Sequence, residues 1–150
     1  MKKIACYSIL FLVTLFSSCS STEDETEDNG GLSNNPVSGT LYGNAFTLVG
    51  SRGSVSGELI TIELSAQSVG CDGTFEDFPI SIYTPNAVGT YTTNVSVSFE
   101  DPNSSDFVSV SGGITVEIQS IGNTIVGRVK AASVSTDNTI NGKFTVPVCQ

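Results

Sequence analysis

The chain has no histidine and no tryptophan, and only 6 lysine and arginine residues against 15 acids in 150 residues. The missing histidine removes Ser-His-Asp and Cys-His catalysis and almost every zinc or iron site. The shortage of cations excludes nucleic acid as a partner, because such binders need clustered Lys and Arg to displace counterions. Without tryptophan, the best ring for stacking on a sugar is absent. No apolar run is long enough to cross a bilayer. The longest, the 13 residues Ile4–Phe16, falls well short of the roughly 20 a spanning helix requires.

What is present begins at the N-terminus. Met1-Lys2-Lys3 is cationic, Ile4–Phe16 is apolar except for Ser8 and Thr14, and Ser17-Ser18-Cys19 closes the run on small residues and a cysteine. No Ala-x-Ala-like site of an ordinary secretory signal follows. This order of charge, apolar stretch, small residues and Cys resembles bacterial lipoprotein precursors. The resemblance implies that residues 1–18 are a signal peptide removed before Cys19. The Cys19 sulfur then carries diacylglycerol and its new amino group is acylated. Two or three acyl chains anchor stably, since each buried CH₂ contributes about 0.8 kcal/mol and one chain alone is marginal.

Lys2 and Lys3 leave with the signal, so Arg52, Arg128, Lys130 and Lys143 face all fifteen acids, a formal charge of −11. That balance argues against docking on anionic head groups and is mainly a statement about solubility. Cys6 also leaves and Cys19 is lipidated, so Cys71 and Cys149 remain in an exported, oxidising setting, where a disulfide between them is expected.

Residues 19–35 read as the lipidated Cys followed by a disordered acidic tether. Ser20–Asn35, SSTEDETEDNGGLSNN, holds one large apolar residue and five acids, too little to bury. As a coil it spans about 20–25 Å, more where like charges repel. An acidic stretch directly after the Cys also resembles the export signal that carries Bacteroidota lipoproteins to the outer face of the outer membrane.

From Pro36 to Gln150 the composition turns to Val, Ile, Thr and Ser with frequent Gly. Ile60, Ile62 and Leu64 alternate with polar neighbours, as do Tyr91 to Phe99, Ile114 to Ile118 and Ile140 to Val148. Period two means strands with one buried face, and no window carries a helical stripe. Gly43-Asn44, Gly122-Asn123 and Asp137-Asn138 supply hairpin turns. The last third reads as a three-stranded meander, and Pro147 places the final strand at an edge or at its own end. The expected fold is all-β: an antiparallel β-sandwich of about eight or nine strands, with a small closed β-barrel as the alternative.

The signal, the acidic spacer, LYGNAF at Leu41–Phe46, VGTY at Val88–Tyr91 and the strand-rich stretch from Gly112 to Val148 together resemble a family of small Bacteroidota outer-membrane lipoproteins. The resemblance implies a compact β-domain on a lipid tether and brings no catalytic residue with it.

Candidate sites are few. A Ser-Lys pair can be written with Lys130 or Lys143, but both fall at outward strand positions, and a solvated lysine is a poor base. Acids gather at Asp72, Glu76 and Asp77 and again in the loop from Glu100 to Asp106. Calcium takes six to eight oxygen ligands, and Asp101, Asn103 and Asp106 are its candidate ligands, though EF-hand spacing is absent. No other cofactor is expected. For a glycan, Tyr42 beside a turn and Tyr83 opposite Ile80 and Ile82 are the candidate stacking residues. The function expected is therefore a non-catalytic binding or structural domain, lipid-anchored at the outer membrane and facing either the cell exterior or the periplasm; the alternative is a glycan-binding accessory at the cell surface. Its partners are the membrane through the lipid, and a glycan or an envelope protein.

Overall fold

A computed structural model describes residues 31–104 and 106–150; the signal peptide, Cys19 and the five acids of the tether lie outside the described residues. Eleven strands form in chain order: β1 (Ser38–Leu41), β2 (Asn44–Thr47), β3 (Gly50–Ser56), β4 (Leu59–Ser65), β5 (Ile80–Pro85), β6 (Gly89–Tyr91), β7 (Ser96–Glu100), β8 (Phe107–Val110), β9 (Thr115–Ile121), β10 (Thr124–Ser133) and β11 (Asn138–Pro147). They make a six-stranded sheet, β2-β1-β11-β10-β9-β6, and a five-stranded sheet, β3-β4-β5-β7-β8, with every strand pair antiparallel. The sheets do not close into a barrel, so the fold is a β-sandwich.

The alternation in the sequence is what builds it. Ile60, Ile62, Leu64, Ile80, Ile82, Val97 and Phe99 line the inner face of one sheet. Val116, Ile118, Ile125, Val129, Ile140, Phe144 and Val146 line the other, and together they form one buried cluster. Fully burying each such side chain contributes about 1.5–3 kcal/mol. The β9–β10 pairing carries a bulge at Val126 and Gly127, where β9 holds the extra residue, Gln119. A side chain on Gly127 would strike the Glu117 carbonyl and the Phe144 ring, so the bulge closes only around glycine.

Several sequence expectations change in detail. The strand count among the described residues is eleven, partly because Gly50–Ser56 forms a strand of its own and partly because the run from Tyr91 to Phe99 is not one strand. It breaks after Tyr91, passes through Asn94 at φ 55°, and resumes at Ser96 in the opposite sheet. The first hairpin turns on Tyr42-Gly43 rather than Gly43-Asn44, with both residues at positive φ and Leu41 paired to Asn44. Asn138 is not a turn residue; it opens β11, and Asp137 takes the left-handed position. The expected meander is β9-β10-β11. Its last strand lies inside the sheet between β1 and β10, and Pro147 marks its end.

The domain also starts before Pro36. Residues 31–36 lie across the six-stranded sheet, with Leu32 only 4% exposed. Lys143 N–H donates to the Asn35 carbonyl at 2.7 Å, and Asn141 joins Gly31 and Ser33 through its side chain. Gly142 permits this approach: at φ 155° it has no Cβ, and one would overlap the Val37 backbone. Beneath the strap Arg128 is buried, donating to Glu117 at 2.6 Å, to Asn34 at 3.2 Å and to the Leu32 carbonyl at 3.4 Å. The guanidinium holds the Glu117 carboxyl below the usual carboxylate range, against the opposing effect of burial.

The expected disulfide joins Cys71 to Cys149, 78 residues apart in sequence. Replacing both cysteines with serine is expected to lower the unfolding free energy by about 2–5 kcal/mol, read from urea titrations. An unchanged midpoint would show the crosslink to be energetically silent. Glu117 sets a pH dependence. A carboxyl whose folded pKa is depressed stabilises above its unfolded value and loses that contribution as pH falls through the folded one. Stability of the native protein should therefore decline below about pH 4. In Glu117→Gln that part of the slope should vanish, with about 3–5 kcal/mol lost at neutral pH because Arg128 is left buried and unpaired.

Candidate binding groove on the five-stranded sheet

Residues that alternate with the core stand on the outer face of the five-stranded sheet. Tyr83 lies between Ile82 and Thr84 on β5, Ser98 and Glu100 project from β7, and Phe107 from the edge strand β8. Phe107 is 68% exposed, which is high for a phenylalanine on a strand.

The segment between β4 and β5 folds back over this face. Its anchor is Phe78, 1% exposed yet outside the main core, with the Arg52 guanidinium 4.4 Å above its ring. Arg52 also pairs with Glu63 across β3 and β4 and donates to the Gly73 carbonyl. Cys71 is tied to Cys149, and the Asp77 carboxylate accepts from the Thr74 N–H at 2.7 Å and its hydroxyl at 3.0 Å. These contacts hold the single 3₁₀ turn Phe75–Asp77 in place and leave Phe75 58% exposed. Between the loop and the sheet lies a groove of about 440 Å³, walled by Phe75, Tyr83 and Phe107 with Glu76, Ser98 and Glu100 beside them.

A second cavity of about 470 Å³ adjoins it at the end of the sandwich. Glu76, Asp77, Glu100 and Asp101 line it, so the two acidic segments of the sequence meet here, although Asp72 and Asp106 do not take part. Glu76, Pro79 and Glu100 are common to both cavities.

Asp101, Asn103 and Asp106 are not gathered as a calcium cage. Asp101 Oδ1 accepts from the Asn103 backbone at 2.9 Å and from its side-chain amide at 3.3 Å, while the Asp101 N–H donates to the Asp106 carbonyl at 2.9 Å. The loop spends its oxygens on its own turn. Among the described residues no group of three or more His, Cys, Asp or Glu is placed to hold a metal.

Of the two candidate tyrosines, Tyr83 enters the groove and Tyr42 does not. Tyr42 holds φ 47°, unusual for a bulky residue. Two bonds keep it there: its N–H donates to Asn138 Oδ1 at 2.7 Å, and its hydroxyl to the Phe99 carbonyl at 3.0 Å, joining the two sheets. Burial raises its phenol above the ordinary pKa, the Asn138 side chain acts in the opposite sense, and the negative charges of Asp101, Asp106 and Glu100 raise it further. Tyr91 rests half-buried against the core, its hydroxyl on the Ala87 carbonyl at 2.8 Å.

Phe75, Phe78 and Phe107 were not among the sequence candidates. Phe107 carried a signal, since Val108 and Val110 face inward and alternation sends Phe107 outward. Phe75 and Phe78 sit in a loop without periodicity, and nothing local says that one is buried and the other is not. Comparisons with protein-family models, curated proteins and solved structures find no match to this chain.

Proposed function

We propose that this protein is a lipid-anchored, non-catalytic binding domain of the cell envelope, held at the outer membrane through Cys19 and presenting the Phe75–Tyr83–Phe107 groove to a glycan at the cell exterior. One observation carries the ligand class. Four aromatic residues, Phe75, Phe78, Tyr83 and Phe107, line one groove on an exposed face with the carboxylates of Glu76 and Glu100 and the Ser98 hydroxyl beside them. A sugar needs both: its apolar C–H face packs on aromatic rings, and its hydroxyls donate to carboxylates in short, charge-assisted hydrogen bonds. The anchor rests on the order Lys2-Lys3, Ile4–Phe16, Ser17-Ser18-Cys19, and the outward placement on the five acids that follow. The absence of histidine supports the non-catalytic reading.

On a glycan array, the mature protein is expected to retain a defined set of oligosaccharides. Tyr83→Ala and Phe107→Ala should each weaken binding roughly tenfold, about 1.4 kcal/mol, while Tyr42→Phe leaves it unchanged. Silence across the array would remove the glycan ligand. The anchor has its own test: protease added to intact cells is expected to digest the domain, and Cys19→Ala to release it from the membrane fraction. Protection until the outer membrane is opened would place it in the periplasm, with an envelope protein as the partner to seek.

A further inference from the structure

The groove and the acidic cavity next to it differ sharply in charge from the rest of the domain. Glu76, Asp77, Glu100 and Asp101 line the pair, and no lysine or arginine lines either cavity. Of the four basic residues after Cys19, Arg52 is bound to Glu63, while Arg128, Lys130 and Lys143 stand on β10 and β11 of the opposite sheet. Among the described residues no cation lines either cavity; Arg52, held by Glu63 and stacked on Phe78, interacts with Asp77 from outside them.

The four carboxylates are not equivalent. Asp77 accepts two hydrogen bonds from Thr74, and Asp101 two from Asn103. Glu76 is exposed to water. Glu100 stands in the wall shared by both cavities, and its Oε2 is buried with no hydrogen-bond partner among the described residues. Glu100 is half-buried, and a carboxylate oxygen left without a donor away from water carries an electrostatic cost. A positive charge placed in the adjoining cavity offsets that cost. The aromatic walls act in the same direction, since the faces of Phe75, Tyr83 and Phe107 attract cations.

We infer that the ligand is a glycan bearing free amino groups, and that Glu100 sets the preference for a protonated amine over a neutral or acidic sugar. The inference rests on the glycan reading of the groove and adds the charge of the ligand. Uronic acid or sulfated sugars meet the like charge of Glu76, Asp77, Glu100 and Asp101 and are rejected.

Three oligomers of equal length test it: a glucosamine oligomer, its N-acetylated counterpart and a uronic acid oligomer, each titrated calorimetrically into the mature protein. The amine oligomer is expected to bind about 10- to 100-fold more tightly than the acetylated one, a preference that shrinks as salt is raised. The uronic acid oligomer should not bind. Glu100→Gln should bring the two affinities to within about threefold by weakening the amine oligomer alone, and Glu76→Gln, on the exposed rim, should do so only in part. A thermal unfolding midpoint for Glu100→Gln at or above that of the parent would show the variant to be folded. Equal affinities for amine and acetylated oligomers in the parent protein, or a preference for the acidic one, would overturn the inference. If the acetylated oligomer binds and Tyr83→Ala abolishes it without any amine preference, the glycan reading stands and only the charge inference falls. If none of the three binds, the charge inference falls, and the glycan reading falls with it only if the array is silent as well.

Discussion

Two sheets that are each apolar on one face cannot remain apart in water, and the burial of those faces against each other is the constraint from which the rest of this structure follows. Isoleucine, valine and phenylalanine at every second position of β4, β5, β7, β9, β10 and β11 fill a single core. Because the period is two, a slip of one residue would turn any of these strands inside out. Register is therefore imposed by the core, and with it the identity of every residue on the outer surfaces. Tyr83, Ser98, Glu100 and Phe107 face the solvent side because Ile82, Val97, Phe99 and Val108 cannot.

What is built on each outer surface differs. The six-stranded sheet receives the incoming chain, whose Leu32 covers the Arg128–Glu117 pair; the polar atoms under the strap satisfy one another. The five-stranded sheet receives a loop clamped by Arg52, Phe78 and the disulfide, and this loop covers only part of the face. The uncovered part keeps its aromatic rings exposed, and among the described residues no lysine or arginine lines it. Residues 31–36 and the groove thus lie on opposite faces of the sandwich.

The legible features were those with a local cause. Alternation showed the all-β class and the buried members of β4, β9 and β11 but left sandwich and barrel both open, and the expected export implied the Cys71–Cys149 pair. Boundaries were less legible. A continuous alternation from Tyr91 to Phe99 looks like one strand because period two is preserved across the crossing; nothing local marks the change of sheet except Asn94, a residue that tolerates positive φ. Tyr42 in a left-handed turn defied propensity outright, and its reasons, Asn138 and Phe99, are 96 and 57 residues away. Leu32 looked like part of a tether because one leucine among acids and asparagines has no local partner; its cover comes from β10 and β11.

The sequence by itself determined the all-β class, the acidic charge, the exclusion of histidine chemistry and the N-terminal pattern that resembles a lipoprotein, because each depends on composition or on residues within a few positions of one another. Only the tertiary structure decided that Tyr83 stands with Phe75 and Phe107 while Tyr42 is a fastening between the sheets. It alone decided that the two acidic segments meet at one end, and that Asp101 is satisfied while Glu100 is not. These depend on contacts between segments tens of residues apart. Such contacts are set by how two sheets pack and how a loop closes over one of them, and no local pattern encodes that.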